Sequence, residues 1–331
     1  MRPIRTETDL DHVRRSVQAY AVLSSWVGTG LFAALADGRP RRPDELPGDP
    51  RAIALTAPIL AHVGLLCGDG ETWSLSRTAR ALFEAGCLSL DGASTSLGDL
   101  SRLDAVLRDG GPARGPNGAS RVTEGGVREQ DVAGARAFMD MLFRRSEHSA
   151  TQVAACVAGR LPAQQGGHVL DLGGGHGRYG HALVELGFRV TLLDRPVIVD
   201  LARERYGDAL TYVVGDFLED PLGGPYDAVL LSNIVHGLGP DENRRLLPRV
   251  GEALRPGGLV VVKDMFVDDL GAHPAEAVFF GLTMLMYTRE GQAYSLTELR
   301  DLCTEAGLDA PSFLTVPDGS YTLLFARRPG V

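Results

Sequence analysis

The sequence predicts an α/β protein: a doubly wound, mostly parallel seven-stranded sheet, preceded by a smaller, mostly helical domain of winged-helix pattern. Three observations carry this reading. Short apolar runs alternate with helical patterns from about residue 168 onward, which is the signature of βαβ units. A glycine cluster, Asp171-Leu172-Gly173-Gly174-Gly175-His176-Gly177, joins the first of those runs to the next helix. A stretch from Asp109 to Gly126, DGGPARGPNGASRVTEGG, cannot keep a helical stripe and reads as a linker. It divides the chain into residues 1–108, a linker 109–126, and residues 127–331. A length of 331 residues is compatible with about two domains.

In the first part, Val13, Val17, Tyr20, Ala21 and Ser24 recur at helical spacing. Leu31 to Leu35 reads as a short second helix, and Pro40, Pro43 and Pro47 mark turns. A third helix runs from about Arg51 to Leu66. Cys67 to Leu75 reads as a hairpin with Asp69-Gly70 at its tip. Ser76 caps one more helix, through Leu82. A winged helix can read DNA, and the third helix would then be the reader. It carries Ile53, Leu55, Ile59, Leu60, Val63 and Leu65, with Arg51 alone at its start. A groove-reading helix needs donors for phosphates and base edges. This apolar helix reads instead as buried, or packed on another subunit.

In the second part, strands are expected at Val169-Leu170, Arg189–Leu193, Leu210–Val214, Tyr226–Leu231 and Leu259–Val262. Helices are expected at His176–Leu186, closed by Gly187, and at Asp241–Leu254, closed by Pro256-Gly257-Gly258. The strands are continuous apolar runs, as both-face burial requires. Ser295 and Glu298 form a capping box for a helix that Gly307 stops. Phe313–Val316 and Tyr321–Phe325 close the sheet around a Pro317-Asp318-Gly319 turn.

Composition narrows the class. The chain is 44% hydrophobic and 23% charged, ordinary for a globular protein. The longest apolar stretch, Ala277–Tyr287, is too short to span a bilayer. The N-terminus carries Arg2, Arg5, Glu7, Asp9 and Asp11 with no apolar segment, so a secretory signal is not expected. A net charge of −9 opposes nucleic acid. Lys263 is the only lysine. Cys67, Cys87, Cys156 and Cys303 form no close pair, which fits a reducing cytoplasm and neither a zinc ribbon nor a disulfide framework.

The glycine cluster admits three readings. A P-loop ends in Gly-Lys-Ser/Thr, absent here. A dinucleotide fingerprint needs G-x-G-x-x-G, and Arg178 stands where its last glycine belongs. The pattern D-x-G-x-G-x-G is complete in Asp171, Gly173, Gly175 and Gly177. Two further acids follow successive strands. Asp194 ends the second, where a carboxylate can take both ribose hydroxyls, and Asp216-Phe217 follows the third, where an adenine can bond and stack. All three sit at the carboxyl edge, the ligand edge of doubly wound sheets.

These residues resemble the first motif of class I S-adenosylmethionine-dependent methyltransferases. Over nearly the whole chain the sequence resembles the small-molecule O-methyltransferases of the plant caffeate and hydroxyindole type and their actinobacterial natural-product relatives. Arg255-Pro256-Gly257-Gly258 is similar to their late R-P-G-G motif. The resemblance implies a Rossmann-like fold and S-adenosylmethionine as cofactor, with S-adenosylhomocysteine as product. It also implies a homodimer through the N-terminal domain, a small aromatic acceptor, and no nucleic-acid or membrane partner. Cofactor binding is expected from Asp171, Gly173, Gly175, Gly177, Asp194, Arg195, Asp216, Phe217 and Ser232.

Ile234-Val235-His236-Gly237-Leu238 matches the family's catalytic segment at His236, while Gly237 and Leu238 replace its Asp and Trp. A phenol titrates near pH 10 and attacks a methyl sulfonium faster once deprotonated. Histidine suits that task as general base. Asp264 is the expected supporting residue, orienting His236 or holding substrate. Phe138, Leu142 and Ser146 lie where the family has a phenylalanine, a methionine and a serine, so Leu142 departs from the pattern. Met139, Leu142, Phe143, Phe280, Met284 and Tyr287 are the expected acceptor lining. His176 and His181 are expected to face solvent or the ligand edge, and His273 has no assigned role. No metal site is expected. The leading function is methyl transfer to an aromatic hydroxyl. The alternatives are C- or N-methylation, a cofactor-binding member with another reaction, a winged-helix regulator, and, last, a nicotinamide dehydrogenase.

Overall fold

The computed structural model describes residues 3–85, 100–109, 112–113, 132–161, 166–309, 311–316 and 321–330. Most of the expected linker, the Pro317-Asp318-Gly319 turn and Cys87 lie outside them. The chain divides into two compact units, Met1–Leu97 and Gly98–Val331.

The first unit begins with α1 (Glu7–Gly28), opened by a reciprocal Thr6–Asp9 capping box. The short α2 (Leu31–Ala34) follows, then α3 (Pro50–His62), capped by Asp49 on the Ala52 N–H. Strands β1 (Leu66–Gly68) and β2 (Trp73–Leu75) form the expected antiparallel hairpin. Asp69 closes its tip by accepting from the Glu71 and Thr72 N–H groups. Helix α4 (Arg77–Glu84) is capped by Ser76 as expected. Trp26, Phe32, Leu35, Ile53, Leu60, Trp73 and Leu75 build the core, and the Trp26 indole donates to Thr56. The expected stripe on α1 is not buried in this chain, since Val17 and Tyr20 are exposed. Helix α3 buries only Ile53, Ala57 and Leu60, leaving Leu55 and Ile59, and Val63 just after it, exposed.

The second unit opens with α5 (Leu103–Asp109), α6 (Val132–Arg145) and α7 (Glu147–Ala158). Helix α5 packs through Val106 on Met286, within this unit. The sheet is β3 (His168–Leu172), β4 (Arg189–Asp194), β5 (Thr211–Val214), β6 (Tyr226–Ser232), β7 (Leu254–Asp264), β8 (Ser312–Thr315) and β9 (Thr322–Arg327). Its order is β5-β4-β3-β6-β7-β9-β8. The first five strands pair in parallel, and β9 and β8 add antiparallel. Helices α8 (Arg178–Glu185), α9 (Pro196–Tyr206) and α10 (Pro240–Ala253) are the crossovers. They are followed by α11 (Ala275–Tyr287) and α12 (Leu296–Glu305), the latter with its Ser295–Glu298 capping box.

Two cores sandwich the sheet. Leu170, Leu172, Leu231, Val260 and Val262 face α10 and α12. Val169, Leu192, Ala228, Leu230 and Val261 face α7 and α8. The expectation that every strand is covered on both faces fails at the two edges. Val213 and Val214 in β5 and Phe313 and Leu314 in β8 are partly exposed, because an edge strand is flanked on one side only. Among the described residues, no helix is long and apolar enough to cross a membrane.

Leu230 is fully buried at the centre of the sheet. Leu230→Ala is expected to cost about 2–5 kcal/mol of unfolding free energy in a denaturant titration. A cost below ~1 kcal/mol would contradict this packing.

Candidate active site

The site begins where β3 ends. Gly173, Gly175 and Gly177 have φ of 64°, 56° and 76°, the left-handed region that side chains avoid. Space excludes side chains as well. A β-carbon at Gly173 would collide with Ile234 Cδ1. At Gly177 it would lie 3.1 Å from the Tyr206 ring. The Gly173 N–H donates to the Leu193 carbonyl at 2.8 Å, tying the turn to the neighbouring strand.

Asp171 lies beneath this turn, 1% exposed. Neither carboxyl oxygen has a partner in hydrogen-bond geometry. Burial pushes its pKa up to about 7; the Gly180 N–H pulls the other way and the Asp194 charge adds to the rise. Asp194, at the end of β4, accepts from the Gly175 N–H at 2.8 Å and the Arg195 N–H at 2.7 Å. Desolvation shifts its carboxyl upward as well, against those two bonds. One Asp194 oxygen therefore fixes the glycine turn. Asp216 follows β5, accepts from the Leu218 N–H and lies 3.7 Å from the Arg195 guanidinium. The Phe217 ring reaches to within 3.5 Å of a β-carbon built at Gly173. Gly173, Gly175, Gly177, Asp194, Arg195, Asp216 and Phe217 thus gather at the carboxyl edge, with Asp171 buried beneath the glycine turn. Ser232 lies at the same edge, at the end of β6, and its hydroxyl is buried without a partner. Glycine backbone open to close approach, carboxylates for ribose and adenine, and an orphan hydroxyl fit a nucleoside joined to a polar tail.

Of the two environments expected for His176, solvent is excluded: it is buried, 6% exposed. Its Nδ1 accepts from the Arg178 N–H at 3.1 Å. Burial, reinforced by the charges of Arg205, Arg178 and Lys263, pushes its pKa down to about 3, so the imidazole stays neutral. His181 is half-buried, stacked on Tyr206 with ring centroids 4.3 Å apart.

The second half of the site is a short 3₁₀ turn, Val235–Gly237, after β6. His236 Nδ1 lies 2.7 Å from Asp264 Oδ1. Asp264, at the end of β7, is 1% exposed and also accepts from the Met265 N–H at 2.8 Å. A carboxylate only accepts, so this pairing assigns the proton to Nδ1 and leaves the Nε2 lone pair free. The Phe280 ring from α11 meets the imidazole edge-on, centroids 4.7 Å apart. The turn is held from behind by two buried residues. Asn243 Nδ2 donates to the Val235 carbonyl at 3.0 Å, and the Tyr294 hydroxyl donates to the Leu238 carbonyl at 2.7 Å. Burial pushes the Tyr294 hydroxyl up to about 12, so it remains a donor. Sequence reading missed this pair. The available signal was a polar Asn243 sharing a helical face with the buried Leu246, Leu247 and Val250.

The expected acceptor-lining residues separate into groups. Phe280 stands beside His236, and Met284 is buried on the same helix. Tyr287 packs with the cluster of Met286, Val106 and Ala113. Met139 lies against the glycine turn, its Sδ 3.6 Å from a β-carbon built at Gly175. Leu142 packs with Ile198 and Leu201 of α9. Phe143 lies between the Arg178 and Arg205 guanidinium groups, at 3.8 and 4.1 Å from its ring. Ser146 is buried and Phe138 is exposed. Among the described residues, no cluster of His, Cys, Asp and Glu could hold a metal ion.

The fold and site define a class, and comparison with known proteins agrees. Residues 122–309 match the O-methyltransferase domain family. The 3-hydroxy-5-methyl-1-naphthoate 3-O-methyltransferase of Streptomyces sahachiroi is 31% identical over 307 residues, 86% of this chain and 84% of that protein. Mouse acetylserotonin O-methyltransferase is 32% identical over 173 residues, 49% of this chain and 44% of that enzyme. Among solved structures, mitomycin 7-O-methyltransferase superposes with a TM-score of 0.82 at 22% identity, covering 97% of both chains. Human N-acetylserotonin methyltransferase in complex with S-adenosylmethionine gives 0.77 at 20% identity, covering all of both. The chain belongs to the O-methyltransferase domain family. It is thereby a methyltransferase of the S-adenosylmethionine-dependent kind, of the natural-product type.

The raised Asp171 carboxyl makes folding pH-dependent. Between pH ~4 and ~7 the folded state holds this proton and the unfolded state releases it, so the contribution is full below pH ~4 and falls as pH rises, by about 1.4 kcal/mol per unit. The His176 contribution runs the opposite way. It is the same in wild type and Asp171→Asn, so it cancels in their difference. Thermal melts of the free protein should show wild type losing more stability than Asp171→Asn from pH 5 to pH 8. Parallel curves would contradict the buried, partnerless carboxyl.

Proposed function

We propose that this protein transfers the methyl group of S-adenosylmethionine to a hydroxyl of a small aromatic natural-product intermediate, with His236 as general base. The observation that carries the reading is the 2.7 Å contact between His236 Nδ1 and the buried Asp264. With Nδ1 engaged there, Nε2 is the nitrogen left to take a proton, on a turn at the carboxyl edge of the sheet.

The residues divide the work. The glycine turn from Gly173 to Gly177, with Asp171 beneath it, cradles the cofactor. Asp194 takes the ribose hydroxyls, while Asp216 and Phe217, with Arg195 beside them, take the adenine. The cofactor, when bound, supplies an electrophilic methyl on a sulfonium, so the acceptor oxygen needs only alignment and loss of its proton. His236 Nε2 accepts that proton. Asp264 keeps the imidazole in the required tautomer and stabilises the imidazolium that forms. Phe280, packed on the imidazole, offers an apolar face to a flat acceptor, and Met284 extends that wall. Similarity to a naphthoate O-methyltransferase supports an aromatic hydroxyl as the target. Dimerisation through the first unit is supported by the exposed Leu55 and Ile59 on α3 and Val63 at its end. The net charge of −9 supports a small-molecule partner over nucleic acid.

A panel of hydroxynaphthoic acids and catechols, read by S-adenosylhomocysteine formed, supplies the acceptor for the test. His236→Ala should lower kcat by about 10²–10⁴-fold while cofactor affinity stays within twofold. Asp264→Asn should give an intermediate loss. Wild-type kcat in His236→Ala would remove the base from the mechanism.

A further inference from the structure

The chain's only lysine is buried at the carboxyl edge. Lys263 is 9% exposed and lies in β7, directly before Asp264, so its side chain leaves the opposite face of the sheet. Its Nζ donates to Asn233 Oδ1 at 2.9 Å. It lies 4.9 Å from the Tyr321 ring centroid and 5.9 Å from that of Tyr179. Both tyrosine hydroxyls are engaged elsewhere, with Gln152 and Ser149. No described carboxylate lies within ion-pair distance of Lys263. An ammonium has three donors, and its one acceptor here is a neutral amide. A buried cation without an anion is unfavourable.

The other cations around the site are differently placed. Arg178 donates to the Phe143 carbonyl, Arg205 pairs with Asp140 at 2.6 Å, and Arg195 sits beside Asp216. Lys263, like Arg178, is held by a neutral oxygen and not by a carboxylate.

A second observation lies in the adjacent strand. Ser232 is the register partner of Lys263, and its hydroxyl is buried with no hydrogen-bond partner. Asn233, which follows, has φ of 60° and is the non-glycine residue in the left-handed region among those described. Lys263 holds it at both ends. The Asn233 N–H donates to the Lys263 carbonyl at 2.9 Å, and the Asn233 side chain accepts from the ammonium. The ammonium and the orphan hydroxyl thus leave the same face of the sheet, at the ends of neighbouring strands.

The sheet order says what they face. Asp194 and Asp216 end β4 and β5, on one side of the glycine turn. Ser232 and Lys263 end β6 and β7, on the other. A nucleoside held over β4 and β5 therefore sends its tail toward β6 and β7, about 14 Å away at ordinary strand spacing. The tail of S-adenosylmethionine ends in an amino acid.

We propose that Lys263 binds the α-carboxylate of S-adenosylmethionine and S-adenosylhomocysteine, with the Ser232 hydroxyl as a second donor to the same group. This rests on the cofactor reading above and deepens it. Asp264 serves proton transfer on one face of β7, and Lys263 serves cofactor retention on the other.

The test is calorimetric titration of wild type, Lys263→Met and Lys263→Gln with two probes: S-adenosylhomocysteine, and its decarboxylated analogue, which keeps the amine. Lys263→Gln retains a donor for Asn233. Wild type should prefer S-adenosylhomocysteine by at least about tenfold. Both variants should lose that preference and bind the analogue within twofold of wild type. Equal loss for both probes, or no loss for either, would overturn the assignment and leave the cofactor reading standing. Equal affinity of wild type for both probes would overturn it without any variant. Failure of wild type to bind either probe would instead overturn the cofactor reading, and this assignment with it.

Discussion

Parallel pairing of β4, β3, β6 and β7 is the constraint on which the site depends. Because these strands run the same way, their carboxyl ends fall in one row, and every side chain that follows a strand arrives at the same edge. The register sets the details. Leu172 opposite Leu193 lets the Gly173 N–H reach the Leu193 carbonyl. Ser232 opposite Lys263 places the end of β6 one residue before that of β7. The 3₁₀ turn after β6 then carries His236 back over Asp264. A one-residue slip would turn Asp264 and Lys263 to each other's faces.

That alternation gives the site two separate polar systems. Asp264 lies among the side chains facing α10 and α12, where it fixes the His236 tautomer and where Asn243 and Tyr294 hold the same turn. Lys263 lies on the face covered by α7 and α8, between Tyr179 and Tyr321. Low dielectric makes each system strong and makes its unpaired members costly. Asp171 shows the cost, its carboxyl raised to about 7 beneath the glycine turn. His176 shows the opposite response, a neutral imidazole with its pKa near 3, ringed by Arg178, Arg205 and Lys263.

Most of this architecture was legible in the sequence, because periodicity and glycine placement are local signals. The hairpin at Asp69-Gly70, the Ser76 and Ser295 caps, the glycine turn and the seven strands stand where the residues indicated, except that β7 begins at Leu254 and takes in the Pro256-Gly257-Gly258 stretch that read as a helix stop. What was not legible depends on neighbours distant in the chain. The exposure of Val214 and Phe313 follows from sheet order, which a β5 or β8 run does not encode. The burial of His176 requires Phe143 and Tyr179 to close over it, from residues 33 positions before and three after. The position of Met139 against Gly175 depends on how α6 crosses the turn. Asn243 gave a visible signal, a polar residue on an apolar helical face, but its partner Tyr294 lies 51 residues away.

The central claim is that the carboxyl edge from Gly173 to Phe217 holds an adenosine joined to an amino acid. Calorimetric titration with S-adenosylhomocysteine, with NADH as control and Asp194→Ala as variant, tests it most directly. The account predicts that wild type binds S-adenosylhomocysteine and not NADH, and that Asp194→Ala weakens this by at least about tenfold. Binding of NADH in preference, or S-adenosylhomocysteine affinity unchanged in Asp194→Ala, would contradict it.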